Sequence, residues 1–235
     1  MRFLITGGAG FIGSHLSERL ILQGHRVTVL DDLSTGSLDN VAALAGHPRF
    51  EFVQGSVLSK SLVRRLVAAS DRVIHLAAAV GVRRILQDPL SSLKINIDGC
   101  DNVLSACAES GRGVLVASTS EVYGKNDAES LCENADSILG PASIERWSYA
   151  TAKKLDEFLA LAYHASYGGA MGSRAARWVA VGGRETSPRN RSNWSRRMDR
   201  NRCAVARHGQ NRRDWIRGSN AEHPGAGGDG AAHGT

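Results

Sequence analysis

The chain has 235 residues, 29 of them Lys or Arg and 23 Asp or Glu, for a formal net charge of +6. Residues 1–168 carry a net charge of −2 and residues 169–235 a net charge of +8, with 13 Arg and no Lys, so the basic balance belongs to the C-terminal third alone. Four scattered cysteines without a C-x-x-C pair argue against a zinc site or a disulfide framework; no apolar run approaches the ~20 residues of a membrane span and the N-terminus is unlike a signal peptide, which reads as a cytoplasmic protein without a membrane or metal partner.

In chain order, residues 2–6 read as a strand, followed by Gly8-Ala9-Gly10-Phe11-Ile12-Gly13 and then a helical stretch at 15–20. Strand, glycine turn and helix start form the context that the fingerprint G-x-G-x-x-G requires. Its glycines permit a tight turn, a backbone approach to a pyrophosphate and close helix–strand packing, with the phosphate at a helix N-terminus. A β-branched run at 26–30 ends in Asp31, 18 residues past Gly13. A carboxylate near that distance accepts hydrogen bonds from the adenosine ribose hydroxyls and repels a 2′-phosphate, which favours NAD over NADP.

Further strand-like runs fall at 50–54, 72–76 and 113–117, separated by helix-like stretches. That alternation predicts an α/β fold, a Rossmann-type doubly wound parallel sheet. The longest helix is expected to begin at Asp88-Pro89, with Asp88 as cap, and to keep Leu90, Leu93, Ile97, Val103 and Leu104 at helical spacing. Past the fifth strand come Ser118-Thr119-Ser120-Glu121-Val122-Tyr123-Gly124, hydroxyls and one carboxylate at the carboxyl end of a strand, where open α/β sheets bind ligands. Thr119 is placed to bond a sugar hydroxyl, and Glu121 to move a proton or orient a substrate. Tyr149 and Lys153 then share one face of a helix at i and i+4, and the ammonium is expected to lower the phenol's pKa and make it a base.

The turn Gly7-Gly8-Ala9-Gly10-Phe11-Ile12-Gly13, the strand His75-Leu76-Ala77-Ala78, the segment 118–124 and Tyr149…Lys153 together resemble the extended short-chain dehydrogenase/reductase family, the NAD-dependent nucleotide-sugar epimerases, dehydratases and decarboxylases. The resemblance covers residues 1–168. It implies NAD as cofactor, with Gly7, Gly10, Phe11, Ile12 and Gly13 at the pyrophosphate and Asp31, Asp32, Leu33, Ser34 and Thr35 around the adenosine ribose. Ser56, with Val57 beside it, stands where the family often has an Asp that contacts adenine. Leu76, Ala77 and Ala78 are implied to line the cofactor cleft, followed by Asn96, with Tyr149 and Lys153 at the nicotinamide ribose.

Family chemistry implies that Tyr149 takes the proton of a sugar 4-hydroxyl, with Thr119 and Glu121 at the substrate, to give a 4-keto sugar. A UDP-sugar is the expected substrate, and a homodimer through the two long helices the expected assembly. Ser120 stands where dehydratases carry Asp, which disfavours a simple dehydratase. Thr119-Ser120-Glu121 is similar to UDP-glucuronate decarboxylases, whereas 147–153 looks more like the epimerase branch, so both outcomes stay open.

After residue 168 the family pattern stops. Residues 169–235 hold four Leu, Ile, Val or Phe residues in all, and residues 174–181 could supply one weak strand. The segment 169–235 is therefore expected to be a poorly structured, out-of-frame or otherwise replaced tail in the place of a substrate domain. Its scattered arginines, without a recognisable binding motif, argue against a nucleic-acid partner. The enzyme is expected to bind NAD yet to be inactive in this chain for want of that domain, and a non-catalytic NAD-binding module is the competing expectation.

Overall fold

Aliphatic and β-branched runs form strands where both faces of a sheet can be covered, and the alternation of side chains decides which layer each residue joins. The computed structural model describes residues 1–81, 87–127, 131, 135–167 and 179–181. It contains β1 (Arg2–Thr6), β2 (Arg26–Asp31), β3 (Phe50–Gln54), β4 (Arg72–His75), β5 (Gly113–Thr119) and β6 (Val179–Val181). All pair in parallel, in the order β3-β2-β1-β4-β5-β6. The register sets Leu4 beside Thr28 and Val73, and Ile5 beside Val29 and Ile74. This is the Rossmann-type doubly wound sheet, and the order in which its strands are added switches side between β1 and β4, where such sheets open a crevice at their carboxyl ends.

The helices are α1 (Phe11–Leu22), α2 (Lys60–Ala68), α3 (Pro89–Ser110) and α4 (Trp147–Tyr167). Short 3-10 turns occupy Leu38–Leu44 and Ser120–Tyr123. Leu4, Leu30 and Val73 turn to the side covered by α2, α3 and α4, where they meet Val63, Val67, Cys100, Val103 and Leu104. Ile5, Val27 and Val29 turn to the other side, under Leu20 and Ile21 of α1 and Leu44. The two layers of core thus come from adjacent residues of the same strands.

Helix α3 begins as expected, with Asp88 Oδ1 accepting from the Ser91 N–H at 3.1 Å and Pro89 in the first turn. It ends at Gly111, whose φ of 61° is a left-handed cap. Its buried face is more polar than aliphatic spacing predicts: Ser92, Asn96, Asn102 and Cys100 point inward beside Val103 and Leu104, whereas Leu90 is exposed. Helix α4 also buries polar groups. Ala152, Lys153, Asp156 and Ala160 are buried, while Leu155, Phe158 and Leu161 face outward, Phe158 with 61% of its surface exposed.

A strand expected within 174–181 is present as Val179–Val181, which pairs with Ala117, Ser118 and Thr119 of β5. The sheet therefore reaches past residue 168; the rest of the expectation for 169–235 lies outside the described residues.

Gly7 adopts φ +72°, and a Cβ there would lie 2.7 Å from the Ala77 nitrogen and 2.8 Å from its Cα, both backbone atoms that cannot swing aside. Left-handed strain alone costs about 1–2 kcal/mol and overpacking about 1–3 kcal/mol. Gly7→Ala is expected to lower the unfolding free energy by about 2 kcal/mol or more, read from urea denaturation followed by circular dichroism.

Candidate functional site

The site starts where α1 meets the end of β1. A Cβ on Gly13 would sit 2.5 Å from both the Gly7 carbonyl oxygen and the Gly8 Cα, and one on Gly8 would strike the Val29 methyls. Bare glycine lets the first turn of α1 rest on the turn that precedes it. At Gly10, the N-cap, a Cβ would meet only the Gly7 oxygen at 3.3 Å, so the space in front of it is open. No side chain caps α1 and no acid lies in its first turn. The leading N–H groups that a helix leaves unpaired therefore face outward with the positive end of the helix dipole.

Asp31 ties this turn to the end of β2. Its Oδ2 accepts from the Ala9 N–H and its Oδ1 from the Leu33 N–H, each at 2.9 Å. Asp32 Oδ1 accepts from the Ser34 N–H at 2.9 Å, so two consecutive aspartates shape the loop by bonding the backbone two residues on. Leu33, at φ 61°, is the non-glycine residue with positive φ among the described residues. A carboxylate has about four lone-pair sites, so Asp31 keeps acceptor capacity on the face it turns to the crevice.

A cavity of about 490 Å³ opens over the carboxyl ends of the strands. It runs from Gly7, Gly10, Phe11, Ile12 and Gly13, past Asp31, Asp32, Ser34, Thr35 and Val57, along Leu76, Ala77 and Ala78, to Thr119, Tyr149 and Lys153. All of these are residues the sequence singles out. Four others are placed outside the lining. Leu33 contributes its backbone to the loop. Ser56 uses its Oγ to accept from the Leu58 N–H at 3.2 Å. Asn96 is buried and bonds both backbone groups of Ala79: its Oδ1 accepts from the Ala79 N–H at 2.7 Å, and its Nδ2 donates to the Ala79 oxygen at 3.3 Å. Asn96 thus holds the wall and does not form it, and Ala79 and Ile95 take the lining positions. Glu121 does not line the cavity, and its carboxyl is raised by partial burial against the opposing pull of Arg146. Its own N–H donates to Thr119 Oγ1 at 3.3 Å, which fixes the hydroxyl at the end of β5.

Sequence reasoning also passed over Leu30, Gly55, Val80 and Ala117, which with Ser118 complete the lining. Their signal was positional: most lie at or just beyond the carboxyl end of a strand already identified. Ser118 donates to Glu157 Oε1 at 2.6 Å, and Glu157 also accepts from Lys154 at 3.0 Å, linking the end of β5 to α4.

The Tyr149–Lys153 pair corrects one expectation. Lys153 Nζ donates to Asp156 Oδ2 at 2.8 Å, and the two residues are 3% and 1% exposed. The ammonium is neutralised by a carboxylate on its own helix. Burial of Tyr149, reinforced by the nearby negative charges of Glu121 and Asp156, pushes its phenol up to about 12 and not down. Asp156 was visible in the sequence as an acid three residues past Lys153, a spacing that pairs side chains on a helix. The Cys100 thiol, raised chiefly by burial, lies beside Asp156.

Behind the cavity floor, His75 is fully enclosed, with Nδ1 bonded to Thr6 Oγ1 at 2.7 Å and Nε2 without a partner among the described residues. Burial, with the Lys153 charge, lowers it to about 3. Among the described residues there is no His, Cys, Asp and Glu group fit to hold a metal, and no helix long and apolar enough to cross a membrane.

Glycine turn, open helix N-terminus and crevice at the switch of strand order define a Rossmann-type dinucleotide-binding protein. Within that class, the chain belongs to the NAD dependent epimerase/dehydratase family, whose model matches residues 3–219. It is 42% identical over 162 residues to the UDP-N-acetyl-alpha-D-glucosaminuronate decarboxylase of Bacillus cytotoxicus, an alignment of 69% of this chain and 50% of that protein. A solved dTDP-glucose 4,6-dehydratase from Streptomyces venezuelae with NAD bound superposes with a TM-score of 0.64 at 35% identity, over 72% of this chain and 53% of that one. The UDP-glucose 4-epimerase of Brucella ovis in complex with NAD gives 0.63 at 28% identity, over 76% and 50%. The chain spans about half the length, or less, of the curated relatives it matches.

The enclosed imidazole has a consequence for acid stability. Unfolded His takes up a proton below about pH 6.5, whereas native His75 stays neutral until about pH 3. Its contribution is therefore intact above pH 6.5 and is lost as pH falls towards 3, at no more than about 1.4 kcal/mol per pH unit for one proton. His75→Gln is expected to flatten the dependence of the urea midpoint on pH between 6.5 and 4; an unchanged slope would assign the acid sensitivity to other groups.

Proposed function

We propose that the cavity binds NAD and that the protein modifies a nucleotide sugar, most simply a UDP-sugar, through a 4-keto intermediate of the epimerase or decarboxylase type. The observation that carries this reading is the single continuous crevice joining an acid-free helix N-terminus at Gly10–Gly13 to the Tyr149–Lys153 pair. The residues fit the cofactor: glycines whose Cβ positions would fill the turn, unpaired N–H groups for a pyrophosphate, and the Asp31 carboxylate with spare lone pairs for ribose hydroxyls and no welcome for a 2′-phosphate. Ser34 and Thr35 add hydroxyls beside that carboxylate. When bound, NAD supplies a hydride acceptor.

The chain's own residues do the rest. Tyr149 removes the proton from the sugar 4-hydroxyl, and Thr119 donates to or accepts from a neighbouring sugar hydroxyl at the end of β5. Lys153 presents its ammonium at the cavity wall, where ribose hydroxyls would reach it. Glu121, with its raised carboxyl, stands ready to exchange a proton with a substrate that extends beyond the crevice. The outward face of α4, with Leu155, Phe158 and Leu161, supports a homodimer, for which sedimentation equilibrium at micromolar concentration is the check.

One observation favours a second reading, an NAD-binding module without turnover. Lys153 is held by Asp156 and the phenol sits at about 12, so the base is not poised near neutral pH.

Calorimetry with NAD and NADP on the full chain tests the binding reading, and mass spectrometry of products from UDP-, dTDP- and GDP-sugars tests the chemistry. NAD is expected to bind more tightly than NADP. Tyr149→Phe is expected to retain NAD affinity while cutting turnover by about 10²–10⁴-fold. No heat with NAD overturns the proposal, and binding without any product from any sugar leaves the module reading in its place.

A further inference from the structure

Helix α4 buries two charges that its aliphatic residues could have replaced. Lys153 lines the cavity and Asp156 does not, so the pair reaches from the wall into the packing between α3 and α4. Replacing such a buried pair with apolar residues is often neutral or stabilising, so stability alone gives no account of why a carboxylate sits there. Asp156 Oδ2 takes the ammonium, and Oδ1 is buried without a hydrogen-bond partner among the described residues.

We propose that Asp156 is a positioning residue for the Tyr149–Lys153 pair, holding the Lys153 ammonium as a neutral ion pair and not as a free positive charge beside the phenol. The inference deepens the reading of Tyr149 as the base and rests on it. Two electrostatic effects run in the same direction. Asp156 is itself a negative charge near Tyr149, which opposes formation of a phenolate, and it cancels the cation that would favour one. Removing the carboxylate charge while keeping its shape therefore favours the phenolate twice over.

Of the charged groups facing this cluster, Glu121 and then Asp156 oppose the phenolate, and Asp156 is the one that also holds Lys153. From β4, His75 is neutral because it is enclosed. From α3, the Cys100 thiol is raised by burial and stays protonated, with Asp101 next to it engaged by the Tyr163 hydroxyl at 2.8 Å. From the 3-10 turn after β5, Glu121 opposes the phenolate, and the Arg146 charge acts on Glu121. On α4 itself, Glu157 is bonded to Ser118 and Lys154.

The test is an ultraviolet titration of tyrosinate on the full chain, over the pH range in which circular dichroism reports a folded protein, with no cofactor or substrate present. The Tyr149 step is isolated as the difference between each protein and its Tyr149→Phe counterpart. In Asp156→Asn that step is expected at lower pH than in the unsubstituted chain, and in Asp156→Glu, which restores the charge, it is expected to move back. A step at the same or higher pH in Asp156→Asn overturns the proposal. Should Asp156→Asn fail to fold, Asp156→Ser, which also removes the charge and leaves Lys153 in place, is expected to titrate below the unsubstituted chain; an unchanged step, or failure of both variants to fold, assigns Asp156 a structural role and overturns the proposal. If the step shifts but turnover survives Tyr149→Phe, the electrostatic inference stands and the reading of Tyr149 as base falls.

Discussion

The contact on which the rest of this protein depends is between two pieces of backbone: the first turn of α1 at Gly13 lies against Gly7 and Gly8, closer than any side chain would allow. Because of it, α1 starts directly over the end of β1 and not beside it. Gly7 packs just as closely on the backbone between β4 and the cavity wall. The crevice is therefore bounded on both sides by main chain, and its shape is fixed by an absence of atoms at three positions. Asp31 adds the one side chain that locks this turn to the next strand, through the Ala9 N–H.

Most of the scaffold was legible in the residues. The strands at Arg2–Thr6 and Phe50–Gln54 fall on the expected positions, and β2, β4 and β5 differ by a residue or two at one end. Asp88-Pro89 marks the start of α3 because a cap and a fixed φ are local properties that no neighbour overrides. Helix faces were harder to read. Periodicity shows that Leu155, Phe158 and Leu161 share a side of α4, but it does not say which side packs, and here small alanines and an ion pair meet α3 and β5.

The site was read in outline and misread where a third group intervened. Tyr149 and Lys153 share a helix face as the spacing requires, yet a two-body argument from spacing misses Asp156, nearly one turn further along. Asn96 stands behind the cavity, where its amide bonds the Ala79 backbone and supports the wall. Glu121 was chosen as a lone acid at a strand end, but the 3-10 turn that Thr119 caps carries it outside the cavity. Each case involves a partner far away in sequence or a turn whose direction the residue types alone do not specify.

Leu33 holds a left-handed backbone that a branched aliphatic residue adopts only at a cost of about 1–2 kcal/mol. The Asp31 and Asp32 carboxylates maintain it, through the N–H groups of Leu33 and Ser34. The loop that would cup an adenosine is thus already bent to its working shape when the chain folds. The conformational entropy of that bend is surrendered when the chain folds, and not when a ligand arrives.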